Sequence, residues 1–168
     1  MYYRGTWVQK SARIMAVVAL AYAILILVGS CRTGYELSRD VEAVAHRAQV
    51  AADADDMLVY MVDLKSNMER HGITQGYSVP IFQTPANDLS LLYESVNRII
   101  ERLEQIKDLP KSETAYQVGL DDLRGTIREL EPPSFGLVIT QFWVVWLIGI
   151  LLWAWPIIYF FRYVLFDF

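Results

Sequence analysis

Residues that do chemistry are scarce in this sequence. It has one cysteine, Cys31, and two histidines, His46 and His71. A single thiol excludes an internal disulfide. The histidines show neither Glu-x-x-His nor His-x-x-x-His spacing, so a metal site of the kind built into di-iron bundles lacks its ligands. There is no Gly-x-Gly-x-x-Gly, Walker-type, Cys-x-x-Cys or Gly-x-Ser-x-Gly segment. Carboxylates such as Glu101 and Glu104 alternate with Lys107 at helical spacing, as on a solvated face. The expectation is a protein that is not an enzyme, with no catalytic residue and no metal.

Charge is the second thing missing, in two long stretches. Residues 14–31 and 137–161 contain no Asp, Glu, Lys or Arg. A bilayer core about 30 Å thick needs roughly 20 helical residues at about 1.5 Å each, so both runs read as transmembrane helices. The chain divides accordingly into an N-terminal flank (1–13), a first span (14–31), a loop domain (32–136), a second span (137–161) and a tail (162–168). A composition that is 54% hydrophobic yet 20% charged suits a chain that joins spans to a polar domain.

The remaining charge is unevenly placed. Residues 1–13 carry Arg4, Lys10 and Arg13 with no acid, whereas 32–136 carry 11 basic and 18 acidic side chains, a net of −7. A nucleic-acid surface needs concentrated positive charge, so no nucleic-acid partner is expected. By the positive-inside rule the basic flank stays in the cytoplasm. With two spans the tail returns there, leaving the loop domain periplasmic or extracellular and the protein in the cell inner (plasma) membrane. Arg32, Arg39 and Arg47 blunt this asymmetry. Val28-Gly29-Ser30-Cys31 resembles a lipoprotein cleavage site, but the apolar run exceeds the roughly 7 to 15 residues of a signal core, and an uncleaved anchor is expected.

Within the loop domain, apolar residues recur at steps of three and four, the mark of helices with one buried face. Val41, Val44, Ala48, Ala51 and Ala54, continuing through Leu58, Met61, Leu64 and Met68, predict one long or two shorter helices over 35–70. Asp53, Asp55 and Asp56 either sit on the wet side or cap a second helix. Leu89, Leu92, Val96, Ile99, Leu103 and Ile106 predict the clearest helix, with Asn87 or Asp88 as N-cap. Tyr116, Leu120, Leu123, Ile127 and Leu130 predict another, stopped by Pro132 and Pro133. Asp121 and Arg124, three residues apart, read as a surface pair of little energetic worth.

Residues 71–87, with Gly72, Gly76, Pro80 and Pro85, form an irregular connection. Its Tyr77, Ile81 and Phe82 either anchor the segment on the bundle or make a recognition loop. The expected fold is an all-α membrane protein, two transmembrane helices flanking an extracytoplasmic antiparallel bundle of three or four helices. The chain descends either by a bend near 53–56, giving four, or across 71–87. A continuous helix over 35–70 would rise about 54 Å against about 30 Å for its partners, which favours the bend.

The spans carry the candidate interface. Ala16, Ala19 and Ala23 share one face of the first, and Ala19 and Ala23 form a small-xxx-small pair. In the second, Phe142, Trp146, Gly149, Trp153 and Phe160 form a stripe, with Gln141 able to hydrogen-bond across helices. The stripe faces lipid, or packs on spans of other integral membrane subunits, or holds a flat apolar ligand such as a quinone, carotenoid or chlorin. No cofactor is otherwise expected. These features point to a non-enzymatic accessory or structural subunit that stabilises or assembles a larger inner-membrane complex. The alternative is a sensor-like two-span protein whose helical bundle signals through a separate partner.

Overall fold

The computed structural model describes residues 3–79, 83–130 and 143–162. These form α1 (Tyr3–Leu37), a π-helical turn (Ser38–Glu42), α2 (Ala43–Gln49), α3 (Ala54–Arg70), a 3-10 turn (Pro85–Asn87), α4 (Leu89–Ile106), α5 (Thr114–Glu129) and α6 (Trp143–Phe160). Among the described residues there is no strand, only one isolated antiparallel bridge between Tyr77 and Asp88. The chain separates into two compact units, Met1–Arg32 with Gln141–Phe168, and Thr33–Thr140.

In the first unit, α1 is the one described helix long and apolar enough to cross a membrane. An N-terminal signal sequence passes the same test of length and composition. The apolar part of α6, Trp143–Ile158, is shorter, and residues 137–142 of the expected second span lie outside the described residues.

The second unit is a four-helix bundle. Its helices form a closed ring, α2 against α3, α3 against α4, α4 against α5 and α5 against α2. The fourth helix exists because the chain breaks after α2. Asp53 adopts an extended backbone and its Oδ1 accepts from the Asp56 amide at 3.0 Å, capping α3. Asp55 and Asp56 sit exposed in the first turn, where the helix dipole favours anions. The cap also resets the helical phase. Counted from Ala54, the buried face runs Ala54, Met57, Met61, Leu64 and Met68. Leu58, assigned to that face by counting through the break, is only partly buried, and Met57 takes the covered position instead.

The described parts of the connection between α3 and α4, residues 71–79 and 83–88, meet at one end of the bundle. Gly72, at φ +69, follows the C-cap of α3, its amide donates to the Glu69 carbonyl, and the Ile73 amide donates to the Met68 carbonyl at 2.8 Å. These two bonds make a Schellman motif, in which the residue after the glycine packs back on the helix. Ile73 is fully buried in the same core as Met68. The segment is then pinched at its base. The Leu89 amide donates to the Gly76 carbonyl and the Ser78 amide to the Asn87 carbonyl, both at 2.9 Å. The chain therefore leaves and rejoins the bundle at one end.

Asp88, not Asn87, caps α4, its Oδ1 accepting from the Ser90 amide at 2.9 Å and the Ser90 hydroxyl at 2.6 Å. Val96, Ile99 and Leu103 of α4 meet Tyr116, Leu120, Leu123 and Ile127 of α5 in one core. Leu92 and Ile106 lie at its border.

Candidate functional site

In the first unit the two apolar stripes face each other. The covered positions of α1 step by fours and threes through Ala12, Ala16, Ala19, Ala23, Ile26 and Ser30, of which Ala12, Ala19 and Ser30 are buried and the others half-buried. The Tyr22 hydroxyl donates to the Val145 carbonyl of α6 at 3.1 Å. A Cβ placed on Gly149 would lie 3.4 Å from both Ile26 Cδ1 and Tyr22 Cε1, ordinary contact distance at its tight edge. Gly149 thus packs against the Tyr22 and Ile26 side chains of α1.

The described candidate residues converge on this seam. Ala19, Ala23, Trp146, Gly149 and Trp153 line a groove of about 580 Å³. Ala16, Trp153 and Phe160 line a second, of about 370 Å³, with Ala12, Arg13 and Pro156. Gln141 and Phe142 lie outside the described residues. The Trp146 indole Nε1 is buried and finds no acceptor among the described residues. Within this unit the covered face of α1 meets α6 through Tyr22 and Ile26.

In the bundle, the polar focus is Asp40, in the π-helical turn. The Asn67 side-chain amide donates to the Asp40 carbonyl at 2.8 Å. Asn67 is buried, 5% exposed, so the bond satisfies two groups that burial would otherwise penalise. The Asp40 carboxylate accepts from Arg39 Nε at 2.6 Å and Nη2 at 3.1 Å, and lies 3.2 Å from His71 Nε2. The hydrogen bond from Arg39, aided by that from His71, holds this carboxyl at about 2, below the usual carboxylate range. Sequence reasoning missed this knot. Its one signal was a polar Asn67 beside Met68 on an otherwise apolar face.

The other perturbed groups are engaged in holding the bundle together. Asp53 is lowered first by the Asp56 amide it caps and then by Lys111, whose Nζ lies 2.7 Å from Asp53 Oδ2. Asp88 is lowered by its bonds from Ser90. Tyr93 is raised by its hydrogen bond to Glu69 Oε1 at 2.5 Å. The Tyr116 hydroxyl accepts from the Ala54 amide at 2.9 Å. Arg124 does more than the surface pairing with Asp121 expected of it: its Nη2 donates to the Ala51 carbonyl at 2.7 Å, bracing the turn between α2 and α3.

Of the recognition-loop candidates, Tyr77 is half-buried at the pinch, and Ile81 and Phe82 lie outside the described residues. His46 is exposed on α2. Among the described residues, no group of three or more His, Cys, Asp or Glu is placed to hold a metal ion. The chain matches no family model, no curated protein and no solved structure.

Proposed function

We propose that the chain is a non-enzymatic integral membrane subunit that packs on and stabilises or assembles a larger inner-membrane complex. Its two apolar helices cross the bilayer with both termini in the cytoplasm, and its bundle stands on the extracytoplasmic side. The observation that carries the proposal is the uncovered apolar length of α1: its apolar window has a mean hydropathy of 2.6, yet only 11% of it is buried. The seam with α6 engages one narrow face, leaving Val17, Leu25 and Val28 on α1, and Trp143, Ile150 and Trp155 on α6, exposed. Lipid and partner spans are the surroundings in which such faces are stable. The shifted ionisable groups of the bundle support a structural role, since each is taken up by a cap, an ion pair or a hydrogen bond within it.

The test is purification in gentle detergent with quantitative mass spectrometry, paired with protease digestion of sealed cells. Stoichiometric recovery with one membrane complex, from cells whose bundle is cleaved from outside, is the expected result. Release of the whole chain by carbonate washing would overturn the membrane assignment, and recovery as a lone homodimer would overturn the subunit assignment.

The π-helical turn favours a sensor-like module as the second reading. Such turns recur at functional sites, and this one joins α1 to the Asp40 knot. A small molecule that changes the environment of Asp40 and His71 in the isolated homodimer would favour it.

A further inference from the structure

Resting on the two-span orientation above, we propose that the seam between α1 and α6 is a seat for an anionic phospholipid, one acyl chain lying in the groove and the phosphate at Arg13. The two grooves share Trp153 and Ile157, so they follow one another along the seam from Leu27 to Arg13. Fourteen residues of α1 separate these ends, about 21 Å of helix. That exceeds the depth of one leaflet, about half of the roughly 30 Å hydrocarbon core.

The groove has the shape a chain needs. On α1 it is lined by the small Ala16, Ala19 and Ala23 with the bulkier Tyr22, Ile26 and Leu27 beside them, and on α6 Gly149 leaves it open. Trp153 and Ile157 wall both sections. Among the lining residues Arg13 is the charged one, and it stands at the end that faces the cytoplasmic headgroups. Lys10 precedes Arg13 by one turn on α1, and both are exposed. Among the described residues, no carboxylate lies within ion-pair distance of either.

Charge selects the occupant. Basic pockets between membrane helices on the cytoplasmic side suit phosphate headgroups, and a guanidinium meets phosphate with two parallel donors. A second copy of this chain in the same orientation would bring its own Arg13 and Lys10 to the same depth, setting like charges side by side. A lipid brings the opposite charge together with an apolar chain of the right length.

The experiment reconstitutes the full chain in phosphatidylcholine vesicles containing a minor fraction of phosphatidylglycerol, then repurifies it in gentle detergent and counts retained lipid by mass spectrometry. Several-fold enrichment of phosphatidylglycerol over its vesicle fraction is expected. Arg13→Gln should remove that enrichment and Arg13→Lys should keep most of it, a pair that separates lost charge from lost folding. Ala16→Phe, which fills the groove, should lower retention of both lipids. Retention in the vesicle proportion, or enrichment unchanged in Arg13→Gln, overturns the lipid seat while leaving the membrane reading intact. A chain that carbonate washes off the vesicles overturns the membrane reading itself.

Discussion

The two units differ in what they cover: the bundle buries large apolar side chains along with Ala48, Ala51 and Ala54, whereas α1 within the first unit buries only small ones. In the bundle, Met57, Met61, Leu103 and Leu123 are fully covered. In the unit of α1 and α6 the covered residues of α1 are Ala12, Ala19 and Ser30, while Ile14, Val17 and Leu25 stay open. Water rewards burial of large apolar side chains at about 25 cal/mol per Å². Lipid offers no such reward, and helices in it associate through small residues that let backbones approach. A seam of small residues with the large ones left open is the packing that the proposed membrane placement of α1 and α6 calls for.

The sharpest way to break this comparison is to remove a covered side chain from the bundle. Leu123→Ala should cost about 2–5 kcal/mol, read as a fall in the denaturant midpoint of the bundle. The next prediction sets two similarly exposed residues against each other, Leu25 at 71% and Val59 at 66%. Leu25→Asp should oppose membrane insertion by about 3 kcal/mol, near the middle of a span, in a glycosylation-mapping insertion assay. Val59→Asp, on the wet face of α3, should change stability by no more than about 0.5 kcal/mol. Equal effects from the two substitutions would erase the distinction between the units.

Two smaller effects refine the bundle itself. Asn67→Leu keeps the volume but leaves the Asp40 carbonyl without its donor, at a cost of about 1–3 kcal/mol. The same knot has a pH signature. The Asp40 carboxyl titrates at about 2 in the folded chain against 3.8 for the free group, so the unfolded chain binds its proton first as pH falls. Its stabilising contribution is complete above about pH 4 and is lost as pH drops toward about 2. Asp40→Asn should flatten the acid limb of unfolding midpoint against pH over that window, without abolishing it, because Asp53 and Asp88 are lowered as well.

Much of the bundle was legible in the sequence because its helices are amphipathic with uninterrupted phase. The stripes of α4 and α5 are visible in the spacing of Leu89 through Leu103 and of Tyr116 through Ile127, and nearly every residue on them is buried. Phase failed only where a break reset it, at Asp53, and there Met57 displaced Leu58. The candidate interface was legible in part: the small face of α1 and the stripe of α6 were identifiable, but periodicity names a face and not the surface it meets. The knot at Asp40 left only Asn67 as a mark, because a π-helical turn and a carbonyl acceptor do not show in residue spacing. The second duty of Arg124 left none, since its acceptor is a backbone carbonyl across the bundle.

From the residues alone came the all-helical character, the faces that must be covered, and the length of charge-free chain in the first apolar run, because these depend on spacing and hydration. The tertiary structure decided that the bundle closes with four helices, that the chain between α3 and α4 is pinched by bonds from Leu89 to Gly76 and from Ser78 to Asn87, and that Tyr22 and Ile26 of α1 lie against Gly149. Each of those depends on which surfaces meet, and a local pattern holds no information about the far side of a contact.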